Sequence, residues 1–330
     1  MSQHDFFPGT QWPEPTVPKG WSRTALHRAR AFSETIDTAA VLVLNRGRPV
    51  VEWGDTAARF KCHSIRKSLL SALIGIHVNE GRIDLEATLG ELGVDDREGL
   101  TEREKDATVM DLLTARSGIY HPTHYETPRM VRIKPARHSH GPGTWWCYNN
   151  WDFNALGTIF EQQTKRGIFD EFRDRIAAPL AMQDYRYDET RRDGDYVRSE
   201  VSVHAAYPFR LSARDLARFG LLFLRGGRWK TDQVIPEKWV RLSVRPYSPA
   251  GDRGAYGYMW WVAHEDIHFP GMSVPHGTYS ARGAGGHYVV VVPARDLVVV
   301  HRVDTDFAGR QVSATDFGTV LEHILEAHSG

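Results

Sequence analysis

The sequence predicts a mixed α/β (α+β) fold: one antiparallel sheet built from both chain ends, flanked by helices, with an inserted mainly helical lobe. Three observations predict it. Apolar, β-rich runs occur near both ends, helical periodicity fills the middle, and turn residues join neighbouring strands into hairpins. The expected division is a sheet domain from 1–62 and 205–330, a mainly helical domain from 63–204, and a cleft between them.

The first thirty residues, with Pro8, Pro13, Pro15 and Pro18, read as an arm over the surface, and a short helical stretch follows. Ala39–Leu44 and Pro49–Trp53 are apolar runs separated by Asn45-Arg46-Gly47-Arg48, the pattern of a β-hairpin. From Ser64 to Asn79 the residues Ile65, Leu69, Leu70, Ala72, Leu73, Ile76 and Val78 recur at helical spacing, and Gly81 is a stop. Asp106–Thr114 reads as a short helix ended by Ser117-Gly118. His121 to Gly143 holds four histidines and four prolines with little periodicity, so it reads as a long loop, a feature usually tied to function. Asn154–Gln163, Phe169–Ile176 and Ala213–Leu224 read as helices, the last closed by Gly226-Gly227. Tyr256–Val262, Tyr288–Val292 and Leu297–Val303 read as strands, with Pro293-Ala294-Arg295-Asp296 turning between the last two. Thr315–Ala327 reads as a C-terminal helix.

The 330 residues are 41% hydrophobic and 25% charged, enough to bury a substantial core without staples. Lysine plus arginine total 41 and aspartate plus glutamate total 41, so no global field draws nucleic acid or an anionic membrane. Two cysteines, Cys62 and Cys147, are too few for a disulfide scaffold and are expected as reduced, buried thiols. The N-terminus lacks the basic start and apolar run of a signal peptide, and no run nears the ~18 apolar residues of a membrane helix. The expectation is a cytoplasmic protein. Nothing in the sequence fixes an oligomeric state.

Ser64-Ile65-Arg66-Lys67 heads the amphipathic helix. There the Ser64 N–H is a free donor, and Lys67, three residues on, shares its face. A buried lysine loses its charge and can take the serine proton. The same four residues also fit an N-cap followed by a solvated lysine. Tyr148 and Asn150 are two apart, so on an extended segment both face one way. A phenol there relays protons, and an amide holds a substrate carbonyl and the lysine. A turn with a buried aromatic is the plainer alternative.

Together these residues resemble the class C β-lactamase-like serine hydrolases, which include DD-peptidases, carboxylesterases and nylon-oligomer hydrolases. The resemblance rests on ordered landmarks across about residues 35 to 325. They are Ser64-Ile65-Arg66-Lys67, Asp111 to Gly118, Pro142-Gly143 leading to Tyr148-Asn149-Asn150, Ala178 to Met182, and Leu211 to Phe219. Ser64 and Tyr148 stand 84 residues apart, which fits that pattern. The resemblance implies a β-lactamase/transpeptidase-like fold with Ser64 as nucleophile, Lys67 as general base, Tyr148 as acid–base partner and Asn150 as polar support. It implies a small ester or amide substrate and no cofactor or metal.

The chain departs from the family at the third motif. No Lys-Thr-Gly is present, and the corresponding strand falls within His276 to Gly283. The Ala281 N–H is the expected second oxyanion donor, beside that of Ser64, with Ser280 and Arg282 as its neighbours. Arg282 is a candidate replacement for the missing positive charge, with a salt-bridged arginine as the alternative. Losing Lys-Thr-Gly puts esterase or amidase activity ahead of β-lactamase or DD-peptidase activity, and a catalytically silent binding relative is a further alternative. Gly283, Gly285 and Gly286 superficially resemble a phosphate loop, but a strand follows, not a helix. His121, His124, His138 and His140 lack tight metal-ligand spacing and are expected to line the pocket. Trp145 and Trp146 should face opposite ways, one as a pocket wall (Trp146) and one in the core.

Overall fold

Alternating valines build the centre of the molecule. In the computed structural model, which describes residues 6–328 apart from the side chain of Ser199, Leu297–Val303 pairs antiparallel with both His287–Val292 and Thr38–Asn45. The eight-stranded sheet runs in the order Arg48–Gly54, Thr38–Asn45, Leu297–Val303, His287–Val292, Tyr279–Gly283, Trp261–Val262, Ala255–Tyr256 and Ser248–Pro249. Strands from both ends of the chain meet in it, as predicted. Val289, Val291, Val298 and Val300 enter one core; Val290, Val292, Val299 and Val303 enter the other. Burial on both faces explains why these strands read as unbroken apolar runs.

Helices Arg23–Ser33 and Ala314–Ala327 cover one face, and Ala213–Leu224 covers the other. Gly220 sets the closeness of that second contact. A Cβ there would lie 2.6 Å from a Val298 methyl and 2.9 Å from a Val289 methyl. The helix Ile65–Asn79 joins the sheet to the helical lobe and is buried from Ile65 to His77. It packs against the Tyr279–Gly283 strand and the helices Asn150–Thr164 and Glu237–Ser243. Gly75 on this helix leaves room for the Trp239 ring, which a Cβ would approach to 2.2 Å.

Four elements differ from the sequence reading, each for a local reason. The helix expected from Asn154 begins at Asn150, because the Asn149 side chain accepts from Trp151 N–H and caps it. The 121–143 loop contains the helix Pro128–Ile133, with Thr127 as N-cap and proline in its first turn. Tyr256–Val262 is two strands, Ala255–Tyr256 and Trp261–Val262, folded back on each other through a turn in which Met259 has φ 59°. Phe169–Ile176 divides into the helix Ile168–Phe172 and a π turn, Arg173–Ala177. The N-terminal arm is docked: Arg218 lies 4.7 Å from the Trp12 ring and donates to Gly9 O at 2.8 Å. Among the described residues no helix is long and apolar enough to cross a membrane.

Candidate active site

Ser64 sits where a two-residue ladder turns into the central helix. Phe60–Lys61 pairs with Arg210–Leu211. The buried Arg302 guanidinium donates to the carbonyls of Leu211, Phe60 and Lys61 at 2.9, 3.0 and 2.9 Å, fixing the approach to the turn. His63 then adopts φ 46°, a left-handed conformation that costs a non-glycine residue about 1–3 kcal/mol. Its Nε2 lies 2.8 Å from Thr305 Oγ1, which holds the ring against the sheet. Ser64 is the N-cap of Ile65–Asn79, yet its side chain makes no capping bond. Its hydroxyl is therefore available to Lys67, one turn along.

Lys67 Nζ lies 2.7 Å from Ser64 Oγ and 2.7 Å from Tyr148 Oη. The lysine is fully buried, with Nζ 4.4 Å from the Tyr148 ring centre and 4.7 Å from that of Phe153. Burial, then the charge of the neighbouring Arg66, holds its pKa well below the usual lysine range. Arg66 is itself buried, donating to Asn154 Oδ1 at 2.8 Å and lying over the Tyr207 ring at 4.2 Å. Burial pushes the Tyr148 phenol up to about 12, opposed by a hydrogen bond with Ser64 and by the charges of Arg66, Arg253 and Arg282. Burial thus disfavours both the charged amine and the phenolate, in an arrangement that holds alcohol, amine and phenol in contact. Such a chain can carry a proton from the serine to a leaving group without creating a separated charge.

Hydrogen bonds on either side pin Tyr148. Cys147 N–H donates to Ala115 O at 2.9 Å, and Asn149 caps the next helix while donating to Ile119 O at 2.5 Å. The phenol ring packs on Phe153, Tyr256 and Trp261. Cys62 and Cys147 are both free and buried.

These groups open into a cavity of about 510 Å³. His63, Trp146, Trp261, Arg253 and Arg282 line it, together with residues of a lid-like segment, Tyr125–Ile133. Asn150 borders the cavity but departs from the predicted geometry. It lies in a helix, not an extended segment, and donates through Nδ2 to the lid carbonyls of Tyr125 and His124 at 2.5 and 3.5 Å. It ties the lid down and does not reach Lys67. The third-motif strand, Tyr279–Gly283, lies within the predicted span His276 to Gly283, but Ser280 and Ala281 are not among the residues lining the cavity. Ser280 and Ala281 are fully buried, Ser280 Oγ lying 2.9 Å from His268 Nε2 and accepting from Arg282 Nε at 2.8 Å. The cavity wall is formed two to three residues later, by Gly283 and Ala284. A Cβ on Gly283 would come within 2.6 Å of Cys62 O, so only glycine lets the strand end approach the Ser64 turn.

Trp146 is a pocket wall as predicted, but Trp145 is exposed and stacks on His140 at 4.7 Å instead of entering the core. The four loop histidines do not line the cavity: His121 and His138 face Glu104, and His124 is buried behind the lid. Sequence reasoning missed Arg66, Arg129 and Arg253 on the cavity wall. Arg66 stands inside the quoted Ser-Ile-Arg-Lys run, whereas Arg253 belongs to a polar loop with no periodicity to mark it.

The fold recurs in solved structures. A protein from Bacillus anthracis assigned as a 6-aminohexanoate-dimer hydrolase superposes with TM-score 0.68 at 19% identity, covering 98% of this chain and 89% of that one. EstCE1, a hydrolase with promiscuous acyltransferase activity, gives 0.67 at 15% identity over 91% of this chain and 98% of its own. A penicillin-binding protein from Bacillus halodurans gives 0.63 at 16% identity over 89% and 98%. The model of the beta-lactamase family matches residues 25–326, and this chain belongs to that family.

Proposed function

We propose that this protein is a serine hydrolase that cleaves a small ester or amide through an acyl-enzyme on Ser64. The observation that carries the reading is the 2.7 Å contact of one buried amine, whose charge burial disfavours, with both the Ser64 hydroxyl and the Tyr148 phenol. A solvated surface lysine would have neither the burial nor the second partner.

In this mechanism Lys67 Nζ accepts the Ser64 proton as Oγ bonds to the substrate carbonyl carbon. The carbonyl oxygen takes the negative charge and accepts from two backbone donors. Ser64 N–H is one. Ala284, on the cavity wall, is a better candidate for the second than the buried Ala281. Lys67 passes its proton through Tyr148 to the leaving oxygen or nitrogen as that bond breaks. Water then attacks the acyl carbon, giving its proton back along the same route, and the carboxylic acid departs as Ser64 Oγ is reprotonated. Esterase or amidase activity ranks above β-lactamase activity, since no Lys-Thr-Gly borders this cavity. The structures that share this fold include one assigned as a 6-aminohexanoate-dimer hydrolase and a hydrolase with promiscuous acyltransferase activity, alongside a penicillin-binding protein, so the ranking rests on the missing motif.

The test is incubation with p-nitrophenyl esters, short amides and a chromogenic cephalosporin, followed by intact-mass measurement. A mass increase equal to the acyl group, absent in Ser64→Ala, is expected. Full turnover by Ser64→Ala would remove Ser64 as the nucleophile.

A further inference from the structure

His63 carries a ring where the backbone would be easier with no side chain at all. Its φ of 46° lies in the left-handed region, which glycine adopts readily and other residues adopt at a cost. The strain falls on the residue before Ser64, at the turn that leads into the helix Ile65–Asn79. There Cys62 O accepts from Ile65 N–H at 3.0 Å, and His63 O accepts from Arg66 N–H at 3.3 Å. A histidine kept at such a position implies that its ring is in use.

A chain of hydrogen bonds ties that ring to the end of the central strand. Arg302 Nε donates to His287 Nδ1 at 3.1 Å, so the one ring hydrogen of a neutral His287 sits on Nε2. His287 Nε2 lies 3.4 Å from Thr305 Oγ1, which lies 2.8 Å from His63 Nε2. With its oxygen accepting from His287, Thr305 gives its hydroxyl hydrogen to His63 Nε2, and the hydrogen of the His63 ring is left on Nδ1. The surroundings keep both rings neutral at pH 7. Burial pushes His63 down to about 4; the charges of Arg302, Lys61 and Arg210 act the same way, and that of Asp306 acts against them. Burial, then Arg302, holds His287 well below the usual histidine range. The far end of the chain is anchored, since Arg302 is fully buried with its terminal nitrogens on the carbonyls of Leu211, Phe60 and Lys61. One arginine thus fixes the strand that approaches the turn and, through two further side chains, the ring at the turn itself.

Building on the hydrolase reading above, we infer that His63 is a positioning residue: the chain from Arg302 through His287 and Thr305 holds its ring, and the ring holds the strained turn that presents Ser64 to Lys67. In this role it acts through Ser64 and need not touch the substrate. Without the Thr305 hydroxyl the ring loses the one hydrogen bond it makes among the described residues. Residue 63 is then free to relax toward negative φ, which moves the Ser64 hydroxyl and N–H out of line, and small misplacements of reacting groups cost large factors in rate.

The test removes one hydroxyl group and reads two quantities. Thr305→Val keeps the shape and loses the hydroxyl; Thr305→Ser keeps the hydroxyl. With p-nitrophenyl acetate, Thr305→Val is expected to lower kcat about 10-fold or more while KM stays within about 2-fold, and Thr305→Ser to restore kcat to within about 3-fold of the parent. The second readout needs no turnover. In protein labelled with ¹⁵N-histidine, long-range proton–nitrogen correlation, assigned with His63→Gln, is expected to show the His63 hydrogen on Nδ1 in the parent and in Thr305→Ser. That signature should be lost in Thr305→Val, where both tautomers are open. A His63 hydrogen on Nε2 in the parent, a Thr305→Val kcat equal to the parent's, or an equal loss in Thr305→Val and Thr305→Ser overturns the proposal. Nδ1 protonation in a parent protein that hydrolyses no ester or amide would refute the hydrolase reading and leave the hydrogen-bond chain standing; hydrolysis unimpaired in Thr305→Val would do the reverse.

Discussion

The floor and the rim of the cavity are built on opposite terms. The floor, Ser64, Lys67 and Tyr148, rises from a helix buried along most of its length and from a segment bonded to its neighbours on both sides. The rim is the lid around Tyr125–Ile133, where Tyr125, Val131 and Ile133 are 42%, 59% and 48% exposed. Few ties hold it. Asn150 reaches two carbonyls, Lys134 donates to His121 O at 2.9 Å, and Lys134 pairs with Glu126. On the hydrolase reading proposed above, the groups that would pass protons cannot shift without disturbing the core, while the rim is the more exposed of the two and held by fewer contacts.

The comparison breaks most completely at the floor. Ser64→Ala is expected to lower kcat/KM by at least about 10⁴-fold, checked by ester hydrolysis with an active-site mass readout. Lys67→Met should cost about 10²–10⁴-fold, and its thermal midpoint should rise. The sign follows from protonation. Burial holds the folded Lys67 pKa well below the 10.5 of the unfolded chain, so the unfolded state binds the proton more tightly and folding is penalised until pH exceeds about 10.5. Methionine removes that penalty, and calorimetry at pH 7 checks it. In the parent protein the rate should climb with pH through the depressed lysine pKa.

Below the floor, Gly75→Ala forces a methyl group into the Trp239 ring and should destabilise by about 1–3 kcal/mol in urea titration, with the chemistry of the remaining folded molecules intact. Acid acts more gradually. His63 and His301 are lowered from 6.5 to about 4, chiefly by burial, so the unfolded chain takes up protons first and the thermal midpoint should fall as pH drops from 6.5 toward 4. The smallest effect belongs to the rim: Lys134→Met loosens the lid and should raise KM a few-fold while kcat holds, as steady-state kinetics would report.

What was legible in the sequence follows the same line. Ala213–Leu224 and Leu297–Val303 match their predicted limits, because strong periodicity or an unbroken valine run leaves one structural solution. Ser64, Lys67 and Tyr148 stood out because their spacing is itself the signal, and they lie together in space. Asn150 was misread because a cap supplied by Asn149 moved the helix start back by four residues. The third-motif strand fell within its expected span, but which of its residues border the cavity could not be read, because one strand looks alike in either register until glycine contacts such as that of Gly283 are seen. Arg253 could not be found from periodicity, since its place on the wall depends on how a two-residue strand folds back beside Trp261.

The pairing of Thr38–Asn45 with Leu297–Val303 also bears on biosynthesis. A ribosome emits Ser64 and its helix long before it emits Gly283, Ala284 and the strand that completes the sheet. Until those late residues emerge, Ser64 lacks the cavity wall that Gly283 and Ala284 form. On the hydrolase reading proposed above, a growing polypeptide of this design gains activity only near the end of its synthesis, and one truncated ahead of residue 279 is expected to be inert.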